Sequence, residues 1–340
     1  MPQNTNTYGD ISRDQAGYLV ARMLKRAQHK MIFERFAQVD PQPRNQSKTR
    51  RWRRYNPLPR ATAPLAEGVT PQGQKLTATD VTAVLEPYGD FIELSDVVTL
   101  THQDPVLQES TDLCGQQAAE TAEVIRASHL KAGSNVFYAG GVVTTRATVN
   151  AAISRGDLRR VVRALRRARA EEISKINSAT VKIGTTPVAP AYFAVVHPDL
   201  DPDIRTIVGF VPFEQYSDSK SALPGEIGKV ESIRFIASTL NEPWLAAGAQ
   251  GVNFLSNGSA PAVAAQCDVY PVLIFAKDAY ATVPLQGEDA AQIMVVNPKA
   301  SAGDPLGQRG SVGWKMMHTV AILQDLNMAR LEVAATANPV

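Results

Sequence analysis

The chain has 340 residues, enough for two or three packed units, and its 44% hydrophobic content is that of a globular protein. A formal charge of +2 excludes a molecule that is basic all over, so any contact with nucleic acid must come from local patches. The two cysteines, Cys114 and Cys267, stand far apart, which argues against a disulfide framework and against a cysteine-based zinc site.

The opening MPQNTNTYGD is polar and lacks the apolar core of a signal peptide. No later run approaches the ~18 apolar residues of a membrane span, so the reading is a soluble protein made in the cytoplasm, with no membrane partner. Ser12 and Gln15 form a capping box, and Leu19, Met23, Leu24, Ala27, Met31 and Ile32 follow at helical spacing. These predict an amphipathic N-terminal helix that needs a partner.

From Pro41 to Ala66 there is no acidic residue, whereas Arg44, Lys48, Arg50, Arg51, Arg53, Arg54 and Arg60 are basic. Trp52 and Tyr55 interleave with them. Basic residues among aromatics suit a single-stranded nucleic acid, with phosphates on arginine and bases on rings. Alternation offers a plainer reading, which we favour. A strand would place Arg51, Arg53 and Tyr55 on one face and Arg50, Trp52 and Arg54 on the other. Residues 56–90 are punctuated by Pro57, Pro59, Pro64, Pro71 and Pro87, and strand-like KLTATDVTAVLE lies among them. An extended hairpin of this kind needs another surface to lie on. Residues 88–100 then alternate as a strand does.

DPVLQESTDLCGQQAAETAEVIRASHLKAG, Asp104 to Gly133, predicts one long helix. Asp104 is the expected N-cap, Pro105 takes the first helical position and Gly133 suits a left-handed end. At 1.5 Å per residue it would run roughly 40 Å. Its apolar stripe is thin: Leu107, Cys114, Ala118, Thr121 and Ile125, with Leu113, Ala122 and Val124 beside it. Glu109, Asp112, Glu120, Glu123 and Arg126 are expected to decorate the rest, as on a strut rather than a core helix. VFYAGGVVTT follows as a loop or short strand. Asp157 is then the expected cap of a second helix, whose buried stripe is Leu158, Val161, Val162, Leu165 and Ala168. Six arginines between Arg159 and Arg169 cover its other faces. They suit either DNA or a solvated or inter-subunit face with acidic partners such as Glu171 and Glu172, and we favour the second.

From residue 180 the runs AYFAVVHP, VESIRFIAS and CDVYPVLIFA alternate with turn-rich segments, predicting a second mixed unit of about 100 residues. The C-terminal SVGWKMMHTVAILQDLNMARLEVAA reads as paired strands returning to the first unit.

A search for reaction chemistry returns little. His29, His102, His129, His197 and His318 never fall at metal-ligand spacing, and there is no G-x-S-x-G elbow. Gly225–Lys229 lacks the length of a P-loop. Asp199, Asp201 and Asp203 suit a cation, but turn-forming aspartates between prolines explain them more simply. No catalytic, cofactor-binding or metal residue is assigned, and the chain is read as a non-enzyme.

Several stretches together resemble the major capsid proteins of tailed bacteriophages, in the branch typified by the coat protein of coliphage N-four. They are NTYGDISRDQAGYLVARMLKRAQ, KTRRWRRYNPLPRATAPLAEGVTP, DPVLQESTDLCGQQAAET, HPDLDPDIR with GFVPFEQY, GEIGKVESIRF, and DPLGQRGSVGWK with AILQDLNMARLEVAA. They occur in one order from about residue 5 to 335.

The resemblance implies an α+β chain with the Hong Kong 97-type phage capsid fold. It implies an N-terminal arm at 1–55, an extended E-loop at 56–90 and a peripheral domain at 91–185 with a spine helix at 104–133. An axial domain at 186–290 and C-terminal strands at 291–340 returning to the peripheral domain complete it. It also implies a structural protein that self-assembles into hexamers and pentamers of an icosahedral head around double-stranded DNA. Portal and possibly separate scaffold or decoration proteins are the implied partners, with the virion capsid as destination. The chain begins at the arm, so no fused scaffold is expected. Lys75 does not match the family's cross-linking motif, and no cross-link is predicted. The expected inter-subunit contacts are Arg51, Trp52, Arg53, Arg54, Arg60, Glu67 and Lys75. Rival readings are a nucleic-acid-binding protein using 50–54 and 159–169, and a two-domain enzyme with a cleft near residue 186.

Overall fold

The computed structural model describes residues 32–43, 45–62, 64, 67–68, 70, 73–96, 106–141, 143–173, 190–215, 223–259, 265–284, 292–296, 298 and 306–338. The helix expected from Ser12 and the Asp104 cap lie outside the described residues. A short 3-10 turn, Phe33–Phe36, leads to β1 (Gln38–Val39), β2 (Thr49–Tyr55), β3 (Ala78–Val84) and β4 (Glu86–Ser95). Helix α1 (Val106–Leu130) is unbroken over 25 residues, as expected of a stretch free of proline and rich in alanine. After β5 (Val136–Tyr138) comes α2 (Arg155–Arg167), then β6 (Tyr192–Val196) and the one-turn α3 (Asp201–Arg205). The strands β7 (Phe210–Pro212), β8 (Glu226–Val230), β9 (Ile233–Ala237), β10 (Tyr270–Phe275), β11 (Tyr280–Pro284), β12 (Gln292–Val296), β13 (Arg309–Ile322) and β14 (Met328–Val333) complete the order.

Three sheets form. A seven-stranded sheet runs β5-β14-β10-β6-β9-β8-β7, a five-stranded sheet runs β1-β11-β13-β12 with β4 also on β13, and β2 pairs with β3 alone. The runs YFAVV, YPVLIF and MARLEV are buried at every position because the larger sheet is covered on both faces. One face packs on Leu158, Val161, Val162 and Leu165 of α2, with Leu200 and Ile204. The other packs on Phe33 and Phe36, on Ala127 and Leu130 at the end of α1, and on Tyr280 and Val320.

Helix α1 joins the two larger sheets. Cys114, Ala118 and Ala122 lie on Val312, Trp314 and Met316 of β13, while Ala127 and Leu130 reach the other core. Its stripe of small residues allows that close approach. Two expectations about this helix change. Leu113 and Val124 are exposed, and Asp112, Glu123 and Arg126 are buried rather than decorating the surface.

Helix α2 starts one turn earlier than expected. Its N-cap is Ser154, whose Oγ accepts the Asp157 N–H at 3.2 Å. Asp157, the expected cap, is the third helical residue and bonds Ser154 through its carboxylate. Ala168, expected in the buried stripe, is only half-buried just past the helix end, and Ala170 is buried in its place. The C-terminal strands are not paired with each other. β13 runs along β4, β11 and β12, whereas β14 is inserted between β10 and β5 of the other sheet.

Candidate functional site: the basic ribbon and its anchors

The arginine-rich stretch is a strand. β2 pairs antiparallel with β3 from Thr49↔Val84 to Tyr55↔Ala78, and its side chains alternate as the pattern required. On one face Arg50 donates to Asp40 through Nη2 at 2.6 Å and Nε at 3.1 Å, and Trp52 Nε1 donates to the same carboxylate at 2.9 Å. On the other face Arg51 and Arg53 share Asp80, at 2.7 and 2.9 Å. The Arg53 hydrogen bond holds the Asp80 carboxyl below its ordinary range and raises the Arg53 guanidinium in turn.

Arg51 and Arg53 therefore meet an acidic group of their own chain. Arg54, Arg60, Glu67 and Lys75 are exposed and form no ion pair among the described residues. Glu67 stands at a turn with Gly68, whose φ of 76° favours glycine. The ribbon also exposes Tyr55, Leu58, Leu76 and Val84, between 47% and 64% accessible. Ribbon and loop thus bury little apolar surface within their own chain.

Sequence reasoning missed the anchor beneath the ribbon. Asp40 follows β1, which pairs in parallel with β11 through Gln38↔Ala281 and Val39↔Thr282. Just before it, Phe33 and Phe36 are buried against Phe275 and Phe193, with ring centroids 6.2 and 4.9 Å apart. Glu34 lies 3.4 Å from Arg126 of α1. The Phe-x-x-Phe spacing was the only local signal, because every partner is distant in sequence.

On α2 the acidic-partner reading is partly met. Arg166 reaches Glu172 at 3.2 Å, while Glu171 pairs instead with Lys277 at 2.8 Å. Arg155 and Arg159 meet at Glu231, 2.9 and 2.7 Å away, a partner in the β8–β9 turn that the sequence did not indicate. Arg160 bonds Asp157 at 2.9 Å and the Tyr138 carbonyl.

The aspartate cluster is dispersed among separate tasks. Asp199 accepts from Tyr270, Asp201 pairs with Arg205, and Asp203 accepts the Thr336 N–H, at 2.8, 2.8 and 2.9 Å. Among the described residues no group of three His, Cys, Asp or Glu side chains could hold a metal ion, and no helix is long and apolar enough to cross a membrane. Cys114 and Cys267 are free and buried.

What remains is a body of three hydrophobic clusters, two on the faces of the larger sheet and one on β13, tied together by a strut helix, with a basic ribbon anchored to it through Asp40. Residues 78–331 match the family model described as phage capsid protein. The chain belongs to that family. Solved structures of other phage capsids share its fold. The capsid of Ralstonia phage GP4 aligns at a TM-score of 0.60 and 11% identity over 92% of this chain and 93% of that one. The head of Helicobacter pylori bacteriophage KHP40 aligns at 0.59 and 12%, over 89% and 88%. The capsid asymmetric unit of cyanophage Pam1 aligns at 0.56 and 13%, over 88% and 89%. No curated protein matches the chain. The fold is the Hong Kong 97 type, as the resemblance implied. This capsid-family chain is a structural protein of the virion capsid, working by oligomeric assembly.

Proposed function

We propose that this capsid protein assembles into hexamers and pentamers that close around double-stranded DNA, and that it falls in the branch typified by the coat protein of coliphage N-four. The observation that carries the assembly mode is the ribbon. Among the described residues its seven-residue strands have no third strand, and Tyr55, Leu58, Leu76 and Val84 stay accessible. A two-stranded ribbon is marginal alone. A neighbouring copy supplies the missing surface, and head-to-tail contacts of this kind generate rings.

In this reading residues 1–55 are the arm, 56–90 the E-loop, 91–185 the peripheral domain with the spine helix, 186–290 the axial domain and 291–340 strands shared with the peripheral part. Arg51, Trp52, Arg53, Arg54, Arg60, Glu67 and Lys75 belong to the inter-subunit surface. Arg54 and Arg60 are the cations with most to gain there, since Asp80 already engages Arg51 and Arg53. The same pairing weakens the rival use of 50–54 as a nucleic-acid site. Asp40 and Asp80 engage Arg50, Arg51 and Arg53, which among the described residues leaves Arg54. Synthesis takes place in the bacterial host cytoplasm, and a portal and separate scaffold or decoration proteins take part in assembly.

Sedimentation of the purified chain, with electron microscopy of the fastest fraction, tests this. Closed shells or rings of five and six support it. If subunits remain monomeric even with phage scaffold and portal proteins present, the reading fails. Replacing Arg51, Arg53, Arg54 and Arg60 by Ser should lower assembly yield while leaving the subunit folded, and unchanged assembly removes these four from the interface.

A further inference from the structure

The arginine face of α2 presents charge that the fold does not neutralise. The buried stripe Leu158, Val161, Val162 and Leu165 fixes the helix rotation, so the arginines between those positions must point outward. They line an open groove of about 510 Å³, formed by Arg159, Val162, Arg163, Arg166, Arg167 and Glu231. The lining thus holds four guanidinium groups and one carboxylate.

Glu231 is held by Arg159 at 2.7 Å, and Arg166 leans on Glu172 at 3.2 Å and on the Ser232 hydroxyl at 2.9 Å. Arg163 and Arg167 are exposed and have no carboxylate partner among the described residues. They lie at i and i+4, on the same side of the helix. Arg169, two residues further on and just past the helix end at a φ of 60°, is exposed as well.

We propose that this groove binds the sugar-phosphate backbone of double-stranded DNA, and that α2 therefore faces the interior of the head. The inference rests on the reading of the shell as enclosing DNA. Three observations favour phosphate over an acidic segment of another copy. The first is charge. The chain has no acidic run longer than two residues, so a second copy offers no dense carboxylate strip. The second concerns the nearest thing to such a strip, Asp199, Asp201 and Asp203. Those carboxylates are engaged by Tyr270, Arg205 and the Thr336 N–H. The third is spacing. Arg159 to Arg167 spans about 12 Å of helix rise, and a duplex strand advances about 3.4 Å per phosphate, so the row faces three or four phosphates. The planar guanidinium fork suits phosphate oxygens, and contacts to the backbone carry no sequence preference.

The test uses the full-length subunit and a short duplex DNA of mixed sequence, with affinity measured from about 50 to about 200 mM salt. Engagement of about three phosphates predicts a slope near −3 in log affinity against log salt. Arg163→Ser with Arg167→Ser should reduce the slope by about two, with the melting temperature unchanged. Arg54→Ser with Arg60→Ser, on the ribbon, should leave the slope as it was. A wild-type subunit without measurable DNA affinity at low salt overturns the proposal, as does an α2 double variant that binds like wild type. A double variant that keeps its DNA affinity but no longer forms shells also overturns it, and makes the groove a contact between copies. Shell formation by the wild-type chain is scored separately, so failure of the coat reading is distinct from failure of the groove.

Discussion

The backbone N–H of Phe33 donates to Oε2 of Glu123 at 3.3 Å, across 90 residues of sequence. The Tyr280 hydroxyl donates to the carbonyl of the same Phe33, so both backbone groups of this residue are claimed by the body of the protein. Arg126 completes the arrangement, lying 3.2 Å from Glu123 and 3.4 Å from Glu34. The described start of the chain is thus fastened to the far end of the strut helix. The ribbon that follows springs from a fixed point and reaches outward.

That fastening predicts a pH dependence. Burial pushes the Glu123 carboxyl up from 4.5 to about 7, against the opposing pull of Arg126. The native state therefore holds a proton that the unfolded chain releases between those two values, and stability falls as pH rises through that window. At about 1.36 kcal/mol per unit the full effect is on the order of 3 kcal/mol, present below pH 4.5 and lost above pH 7. Glu123→Gln should flatten this limb, because the amide still accepts from Phe33. Thermal unfolding from pH 5 to pH 8 measures it, and an equal decline in the variant would refute the role of Glu123.

His318 predicts the opposite limb. It is buried near Arg126 and His129, and desolvation followed by those cations lowers its pKa from 6.5 to about 3. Among the described residues its Nε2 is buried without a hydrogen-bond partner. Here the unfolded chain binds the extra proton, so the stability present above pH 6.5 is lost as pH falls toward 3. Glu123 and His318 offset each other where their windows overlap, which gives a stability curve with a broad top. His318→Leu should make the acid limb shallower and, with the offset gone, let the decline assigned to Glu123 show from about pH 4.5 upward. If the acid limb of His318→Leu is as steep as that of wild type, other groups drive acid unfolding.

Asp40 controls the root of the ribbon, because one carboxylate accepts from both Arg50 and Trp52. Asp40→Asn removes the charge and leaves two part-buried donors competing for one carbonyl oxygen. A charge-assisted bond of this kind contributes about 1.5–3 kcal/mol. The loss should appear locally, since the hydrophobic clusters do not depend on it. Amide exchange across β2 and β3 should quicken about tenfold while the main thermal transition moves little. A global loss of stability with no preference for the ribbon would show that Asp40 instead supports the five-stranded sheet.

The sequence reveals what is written in local periodicity and hides what depends on distant partners. Helix α1 was legible because no proline interrupts it, and the β2 alternation was legible because two-residue periodicity needs no knowledge of what lies opposite. Glu123 and Arg126 were misread as surface residues because their partners, Phe33 and Glu34, lie roughly ninety residues upstream. The same limit applies to the C-terminal strands. Pattern shows that 309–322 and 328–333 are strands but not which sheet each enters, and Glu332 is buried only because Arg146 and Arg330 reach it at 2.8 and 2.9 Å. At the candidate site, residue types and faces were readable, whereas Asp40, Asp80 and Glu231 as intramolecular partners required the fold.

A second deeply buried pair, in addition to Arg126 and Glu123, yields the sharpest stability test. Arg234 donates to Glu226 through Nε at 2.6 Å and Nη2 at 2.7 Å, and the Leu223 N–H adds a third bond to the carboxylate at 2.9 Å. Both side chains are at most 5% exposed. Removing one partner strands a charge in a region that water does not reach, whereas removing both removes the desolvation cost with the attraction. Arg234→Met alone should therefore destabilise the subunit by about 3–5 kcal/mol, and Arg234→Met with Glu226→Leu should recover more than half of that. Recovery stays incomplete because the Leu223 N–H loses its acceptor, a deficit of about 1–3 kcal/mol. Urea unfolding of the three proteins decides the matter. A double variant as unstable as the single one would mean that the pair contributes through shape, holding the irregular β8–β9 pairing, rather than through mutual neutralisation.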